Sequence, residues 1–238
     1  MRYFEFNGIK SSDLDLRIYK TNWFSTPERD YSTQSVPGRD GDLIIDAGRC
    51  KNLLVKYECN LISPASAALA DRIKRWLMVL KYIPLFDSGD PEHFRYALPV
   101  KPFSDATEES IWFGSALFQF NCKPYRYKFT GQEVRTYESP TSIELTNLGL
   151  IYACPTIELT AEGDVGLSCA GKTMTLIDIS GTVIIDTENQ LIYDKDTFAN
   201  LAGSNATDEF IQLDPGANTL TITGNVSSIK ITPNWRTL

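Results

Sequence analysis

Apolar and polar residues alternate along much of the first sixty positions, a pattern typical of β-strands that bury one face and expose the other. The clearest case begins after Asn52, where every second residue is apolar and the residues between them are mostly polar. An earlier stretch predicts two strands around an Asn7-Gly8 turn, and a short apolar strand follows at 43–45. The predicted inward positions of the clearest strand are Leu53, Val55, Tyr57, Cys59 and Leu61, opposite Lys56, Glu58 and Asn60.

Helical spacing replaces this alternation at about residues 64–82. Ser63 suits an N-cap and Pro64 the first turn, while Pro84 disfavours helix at the residue before it. We expect one apolar face to cover a sheet, because the neighbouring strands need a cover; an amphipathic membrane or partner helix is the less favoured alternative. The predicted apolar face consists of Leu69, Ile73, Trp76, Leu77 and Leu80.

A charged segment rich in turn residues centres on Val36-Pro37-Gly38-Arg39-Asp40-Gly41. Pro-Gly and Asp-Gly each favour a defined turn, so the spacing predicts an organised hairpin tip. Its charges have mixed sign and suit pairing with another copy of the chain, although exposed charges are commonly only solvated. The candidate interface residues are Arg29, Asp30, Arg39, Asp40 and Asp42.

The second half reads as all-β. Residues 136–149 are rich in Ser, Thr, Pro, Asn and Gly and predict a linker, after which short β-branched runs alternate with turns. Strands at this spacing indicate an antiparallel sandwich or jelly roll. The sequence therefore predicts a mainly β chain with one helix, divided into an N-terminal domain (1–135), a linker (136–149) and a C-terminal domain (150–238).

Composition narrows the possible partners. The chain has 238 residues, a net charge of -7 and a pI near 4.8, which argue against recognition of nucleic acid. No apolar run approaches the roughly 20 residues that span a bilayer, so we expect no membrane insertion. Five scattered cysteines without a CxxC pair, and a single histidine, His93, predict neither disulfides nor a metal site, and no cofactor is expected.

Two functional alternatives depend on the second half. Paired carboxylates could hydrolyse glycosides, but Asp178, Asp186, Glu188, Asp194 and Asp196 flank turns and no catalytic motif accompanies them, so we expect no enzyme. A carbohydrate-binding module is the stronger alternative, since sugars stack on exposed aromatic rings. The candidate rings are Tyr152, Tyr193, Phe198 and Trp235.

The combined motifs resemble those of siphophage distal tail proteins. The resemblance covers nearly the whole chain, except that Arg49-Cys50-Lys51 stands where that family often has an aromatic residue. Its N-terminal motifs are Phe4-Glu5-Phe6-Asn7-Gly8, the 36–41 tip, Asp46-Ala47-Gly48 and Leu54-Val55-Lys56-Tyr57. Its C-terminal motifs are Ile184-Ile185-Asp186-Thr187-Glu188, the segment 210–218, Thr223-Gly224 and the segment 231–236.

This resemblance implies that the protein is a structural component of a virion, which is assembled in the host cytoplasm. Members of the family form a homo-hexameric ring at the tip of a long non-contractile tail. The ring lies between the tail-tube protein and the tail-tip or tail-associated lysin protein. The resemblance implies an N-terminal ring domain of β-sandwich or split-barrel type and a C-terminal galectin-like β-sandwich. The outer domain is expected to hold receptor-binding proteins or to contact cell-wall saccharide.

Overall fold

A computed structural model describes residues 2–62, 67–100, 114–201 and 209–238. The chain divides into an N-terminal unit, Met1–Arg126 with Leu238, and a C-terminal unit, Tyr127–Thr237. Antiparallel strands dominate both units, and the described residues contain one α-helix, which confirms the mainly β fold. The division falls at residue 126, inside the short strand β10 (Arg126–Lys128), earlier than the sequence predicts.

The N-terminal unit is built on an antiparallel sheet in which distant segments pair. The strands of this unit are β1 (Phe4–Phe6), β2 (Ile9–Lys10), β3 (Leu16–Thr21), β4 (Arg29–Gln34), β5 (Leu43–Cys50), β6 (Leu53–Leu61), β7 (Ile83–Asp87), β8 (His93–Pro99) and β9 (Ser115–Cys122), with a 3₁₀ turn at Ser11–Leu14. The spatial order in the large sheet is β2-β1-β7-β8-β9-β6-β3.

The alternation predicted for β6 is confirmed. Val55, Tyr57 and Cys59 are fully buried, while Lys56 and Asn60 on the opposite face are exposed. β6 lies between β3 and β9 and pairs with both, so its alternation is repeated by its neighbours. This sheet therefore buries one face and exposes the other.

The helix α1 (Ala67–Leu77) covers the buried face, with Ile73, Trp76 and Leu77 inside the core. It ends five residues earlier than the sequence predicts. The amides of Met78 and Val79 bond to nearby carbonyls in tight turns instead of continuing the helix. Val79 packs against the core, whereas Leu80, predicted to be buried, is fully exposed. The predicted cap, Ser63 and Pro64, lies outside the described residues.

Phe4 is the centre of the aromatic core beneath this helix. Its ring centroid lies 4.4 Å from that of Tyr57 and 5.5 Å from that of Trp76, in nearly parallel stacks. Phe118 and Phe120 of β9 approach the same ring at 5.5 and 5.7 Å. The indole Nε1 of Trp76 donates a 2.7 Å hydrogen bond to the Phe6 carbonyl, so this buried polar group is satisfied.

A buried carboxylate, Asp90, connects three other segments of the N-terminal unit. It accepts hydrogen bonds from Trp23 Nε1 at 3.0 Å, from a guanidinium nitrogen of Arg126 at 2.8 Å and from His93 Nδ1 at 2.7 Å. Burial raises the pKa of Asp90, but these hydrogen bonds outweigh burial and hold the pKa below its ordinary value. Asp90 therefore remains ionised in the folded chain at neutral pH.

The C-terminal unit is a β-sandwich built from three unusually long strands. The strands are β11 (Arg135–Glu138), β12 (Ser142–Asn147), β13 (Thr156–Cys169), β14 (Lys172–Asp186), β15 (Leu191–Asp194), β16 (Gly216–Thr232) and β17 (Arg236–Thr237), with a 3₁₀ turn at Phe129–Gln132. The spatial order is β11-β16-β13-β14-β15. β16 also pairs with β12 through its first residues, and it pairs with β11 through its last.

Irregular pairing in the middle of the long strands lets one chain enclose a core. The register shifts between Gly163 and Val165, and Asp178 opposite has a φ of 53° and donates its amide to the Asp164 carboxylate at 2.9 Å. Gly224 also has a positive φ, and a Cβ there would collide with the Asp164 carbonyl oxygen. Residues from both sides of these bulges join one apolar cluster.

The segment predicted as a linker, 136–149, holds most of β11 and all of β12. Ile143 and Leu145 of β12 are buried in the sandwich core. Polar residues dominate this segment because the intervening positions face solvent, so its composition resembled that of a linker. The structure therefore corrects this part of the prediction.

Trp76→Ala should lower the free energy of unfolding by about 3–5 kcal/mol, because it empties a buried aromatic site and removes the hydrogen bond to the Phe6 carbonyl. Leu80→Ala, at a fully exposed position just beyond the helix, is the control and should change it by less than about 0.5 kcal/mol. Urea unfolding followed by tryptophan fluorescence measures both. Equal stability of the Trp76 variant and the wild type would contradict this packing.

Asp90→Asn should flatten the acid limb of the stability curve. A carboxylate with a lowered pKa stabilises the fold fully above its unfolded pKa, about 3.9, and the contribution is lost as pH falls through the folded pKa. Chemical unfolding at pH 6 and pH 3 should show a smaller loss of stability in the variant than in the wild type. Asp71→Asn, on the exposed helix face, should keep the wild-type pH dependence.

Candidate interaction surface

Strands β4 and β5 form a two-stranded hairpin that is separate from the large sheet. Tyr31 pairs with Asp46, Thr33 with Ile44 and Gln34 with Leu43. At its base, the Lys51 amide donates to the Glu28 carbonyl at 2.8 Å. Among the residues that the structure describes, no strand of the large sheet pairs with either edge of this hairpin.

Both faces of this β4–β5 hairpin carry exposed apolar side chains. Ile44 lies on the same face as Tyr31, and Ile45 lies on the opposite face with Leu43, because successive side chains alternate across a strand. Exposed fractions are 68% for Ile44, 48% for Ile45 and 55% for Tyr31. An antiparallel sheet in a folded domain ordinarily buries one face. Apolar residues exposed on both faces of an isolated hairpin mark an interaction surface.

The sequence pattern predicts only a short strand at residues 43–45, and the predicted interface consists of the nearby charges. Residues 43–45 are therefore a candidate surface that the sequence prediction did not include. Three consecutive apolar residues in a strand cannot all face one core, because the middle one points away from its neighbours. That run was the available signal in the sequence.

Two of the five predicted interface charges are paired within the hairpin itself. The Arg29 guanidinium forms an ion pair with Asp46, and Asp30 pairs with Arg49 at 2.7 Å. The Gly48 amide and then Arg29 hold the pKa of Asp46 below its usual range. These cross-strand pairs stiffen the hairpin and leave Arg29 and Asp30 less suited to pairing with a neighbouring molecule.

The other three predicted charges, Arg39, Asp40 and Asp42, are exposed at the tip. Gly38 and Gly41 both adopt positive φ, and the Arg39 amide donates to the Val36 carbonyl at 3.2 Å. The tip is therefore the ordered turn that Pro-Gly and Asp-Gly favour. Its charges directly precede the apolar positions of β5 along the chain.

The four predicted saccharide contacts separate into two groups. Trp235 is fully buried in the C-terminal core, whereas Tyr152 is 37% exposed and has one ring face covered by the Arg236 guanidinium, 4.6 Å from the ring centroid. Tyr193 and Phe198 lie together, with ring centroids 6.2 Å apart. The structure therefore brings two of the four rings into one place.

Several carboxylates of the second half serve as turn acceptors, as predicted. Asp186 accepts from the amide and side chain of Asn189, and Asp194 from the amides of Asp196 and Thr197. Across residues 2–62, 67–100, 114–201 and 209–238, no three His, Cys, Asp or Glu side chains are grouped as metal ligands. Among the helices that the structure describes, none has the length and apolar character needed to span a membrane.

No protein-family model matches the chain, and no curated protein matches it in sequence. Solved structures, in contrast, match it in fold. This chain has the fold of the SPP1 Dit (gp 19.1) protein. The alignment has a TM-score of 0.67 and covers 97% of this chain and 98% of Dit, at 16% sequence identity. The crystal structure of Dit is described as a paradigm of hub adsorption apparatus in phages that infect Gram-positive bacteria. Likeness at this identity establishes the fold, in both units.

Hydrogen exchange should distinguish the hairpin from the main sheet. In dilute chain shown by light scattering to be monomeric, backbone amides of β4 and β5 should exchange much faster than those of β6, because two exposed strands open without disturbing the core. Mass spectrometry of peptic fragments measures both regions. Equal protection in the monomer would mean that the hairpin is stable without a partner.

Proposed function

We propose that this protein is a structural component of a phage virion. Six copies form a ring at the distal end of a long non-contractile tail, where the ring joins the tail-tube protein to the tail-tip or tail-lysin protein and to receptor-binding proteins. The observation that carries this proposal is the match to the Dit fold over both units. The exposed β4–β5 hairpin adds a surface suited to the ring contact.

The hairpin supports a head-to-tail contact. In such a ring each copy offers one surface and receives its neighbour on another, and the contact closes at a fixed rotation. Complete burial of a large aliphatic side chain stabilises by about 1.5–3 kcal/mol. Ile44 and Ile45, now 68% and 48% exposed, would each contribute about 1–2 kcal/mol per interface. The gain repeats at every interface in the ring.

The charges at the tip are proposed to determine the specificity of the contact, not its strength. Exposed ion pairs stabilise by only about 0.2–1 kcal/mol each, so Arg39, Asp40 and Asp42 cannot hold a ring together by themselves. Complementary charges instead select the partner and its orientation. We therefore assign affinity to the apolar strand and register to the tip.

Replacing both Ile44 and Ile45 by Ser should prevent ring assembly without unfolding the chain. The side chains are exposed in the monomer, so their loss costs the fold little, whereas each interface loses about 2–4 kcal/mol. Mass photometry and negative-stain electron microscopy measure assembly, alone or with the neighbouring tail proteins, and circular dichroism measures melting. Leu80→Ser, at a fully exposed position outside the hairpin, is the matched control and should assemble normally.

Arg39→Ala with Asp40→Ala should weaken assembly less than the two Ser substitutions do. If the double Ser variant forms rings of six chains as abundantly as the wild type does, the proposed hairpin contact is wrong. A wild-type chain that stays monomeric and also fails to join the tail proteins would contradict the proposed function itself.

A further inference from the structure

A small hollow lies on the exposed face of the large sheet, where strand β3 ends beside β6. Its volume is about 270 Å³, and its lining consists of Lys20, Thr21, Asn22, Lys56 and Glu58. The pairing of β3 with β6 ends at Thr21. The Asn22 side chain then takes the place of a strand, because it donates to the Leu54 carbonyl at 2.9 Å and accepts from the Lys56 amide at 2.6 Å. Backbone contacts therefore fix the shape of this hollow.

The charges around the hollow leave one ammonium group without a carboxylate partner. Lys20 pairs with Glu58 at 3.0 Å, and hydrogen bonds from Lys20 and then from Tyr19 hold the pKa of the Glu58 carboxyl below its usual value. Lys56 is exposed and acts on Glu58 only through longer-range attraction. Among the residues that the structure describes, no carboxylate forms an ion pair with Lys56. The two lysines and one glutamate thus leave a surplus positive charge.

Apolar side chains flank Lys56 on the same face of the sheet. Leu54 precedes it by two residues on β6, and Leu117 of β9 pairs in register with Glu58. Both leucines are 38% exposed, and Tyr19 of β3 is 58% exposed. This β3–β6 surface therefore suits a partner that carries an acidic side chain next to an apolar one.

The β4–β5 hairpin has that combination. Asp40 and Asp42 outnumber Arg39 at its exposed tip, so the tip is acidic. Ile44 follows Asp42 by two residues, just as Lys56 follows Leu54, and two residues of extended chain span about 7 Å in both segments. An antiparallel approach would bring the carboxylate to the ammonium and the isoleucine to the leucine together.

The hairpin is also long enough to reach a neighbouring copy. β5 has eight residues, so it spans about 27 Å from its base to its tip. Its root continues directly into β6 of the same chain, whereas its tip lies at the far end of β5. The tip is thus the part of the hairpin best placed to meet another molecule.

We propose that the β3–β6 surface of each copy receives the hairpin of its neighbour, with Asp42 beside Lys56 and Ile44 beside Leu54. The inference rests on the ring contact proposed above and identifies the receiving half of that contact. An exposed ion pair contributes little affinity, but two like charges forced together at a contact are strongly unfavourable. Reversing a charge therefore tests the pairing more sharply than removing it.

The test reverses each charge separately and then both charges in the full chain. Lys56→Glu and Asp42→Lys should each raise the chain concentration at half-assembly by about tenfold or more, measured by sedimentation velocity. The double variant should return to within about threefold of the wild type, because a head-to-tail ring restores an opposite pair at every interface. Arg72→Glu, which reverses an exposed cation on the helix, is the matched control and should assemble as the wild type does.

Carbodiimide coupling gives an independent readout, because it joins a lysine amine to a carboxylate only where the two groups touch. Assemblies are formed from a mixture of isotopically heavy and light chains, so that links between copies can be recognised by mass spectrometry. Lys56 of one copy should be joined to Asp42 or Asp40 of another. Melting temperatures of all variants should equal that of the wild type, since the substituted side chains are exposed.

Normal assembly of the Lys56→Glu variant, or failure of the double variant to recover, would overturn this receiving surface and leave the ring proposal standing. An equally large effect of Arg72→Glu would also overturn it, because overall charge would then explain the result. A wild-type chain that neither assembles nor joins the tail proteins would overturn the proposed function, and this inference with it.

Discussion

Stacking around Phe4 is the interaction on which the N-terminal unit depends. One ring brings together the first strand, two central strands and the helix, which are separated by more than a hundred residues along the chain. Bringing such distant segments together costs loop-closure entropy, and the burial of apolar surface must offset that cost. Because Phe4 of β1 and Trp76 of the helix belong to the same apolar cluster as the inward residues of β6 and β9, the large sheet buries this face within one chain.

The β4–β5 hairpin gains nothing from that core. Within the described part of the chain its two strands pair only with each other, and they expose apolar side chains on both faces. Its internal ion pairs keep the two strands aligned without hiding Ile44 or Ile45. In the proposed ring, the residues that stabilise the unit would therefore differ from those offered to a partner, and the subunit would fold before it assembles.

The sequence predicted what depends on local periodicity. The alternation of β6, the turn at Gly38 and the apolar face around Trp76 follow from spacing alone, and the structure has them. Prediction failed where tertiary contacts override spacing. The helix ends at Leu77 because Val79 packs against the core. The sequence of β12 resembles a linker because every second residue of this strand is exposed to solvent.

The candidate sites show the same limit. Trp235 and Phe198 both flank turns, yet one is fully buried and the other protrudes, because core closure and hydrogen bonding of the turn decide their positions. Arg29 and Asp30 were predicted to face a neighbour, but their partners inside the hairpin depend on a register that the sequence does not reveal. Charge pattern alone could not separate internal pairs from exposed ones.

The most direct test of the central claim is a cryo-electron microscopy structure of the assembled particle. The account predicts a closed ring of six copies in which Ile44 and Ile45 of each copy are buried against the neighbouring copy. A closed ring in which the β4–β5 hairpin is exposed to solvent in every copy would contradict it.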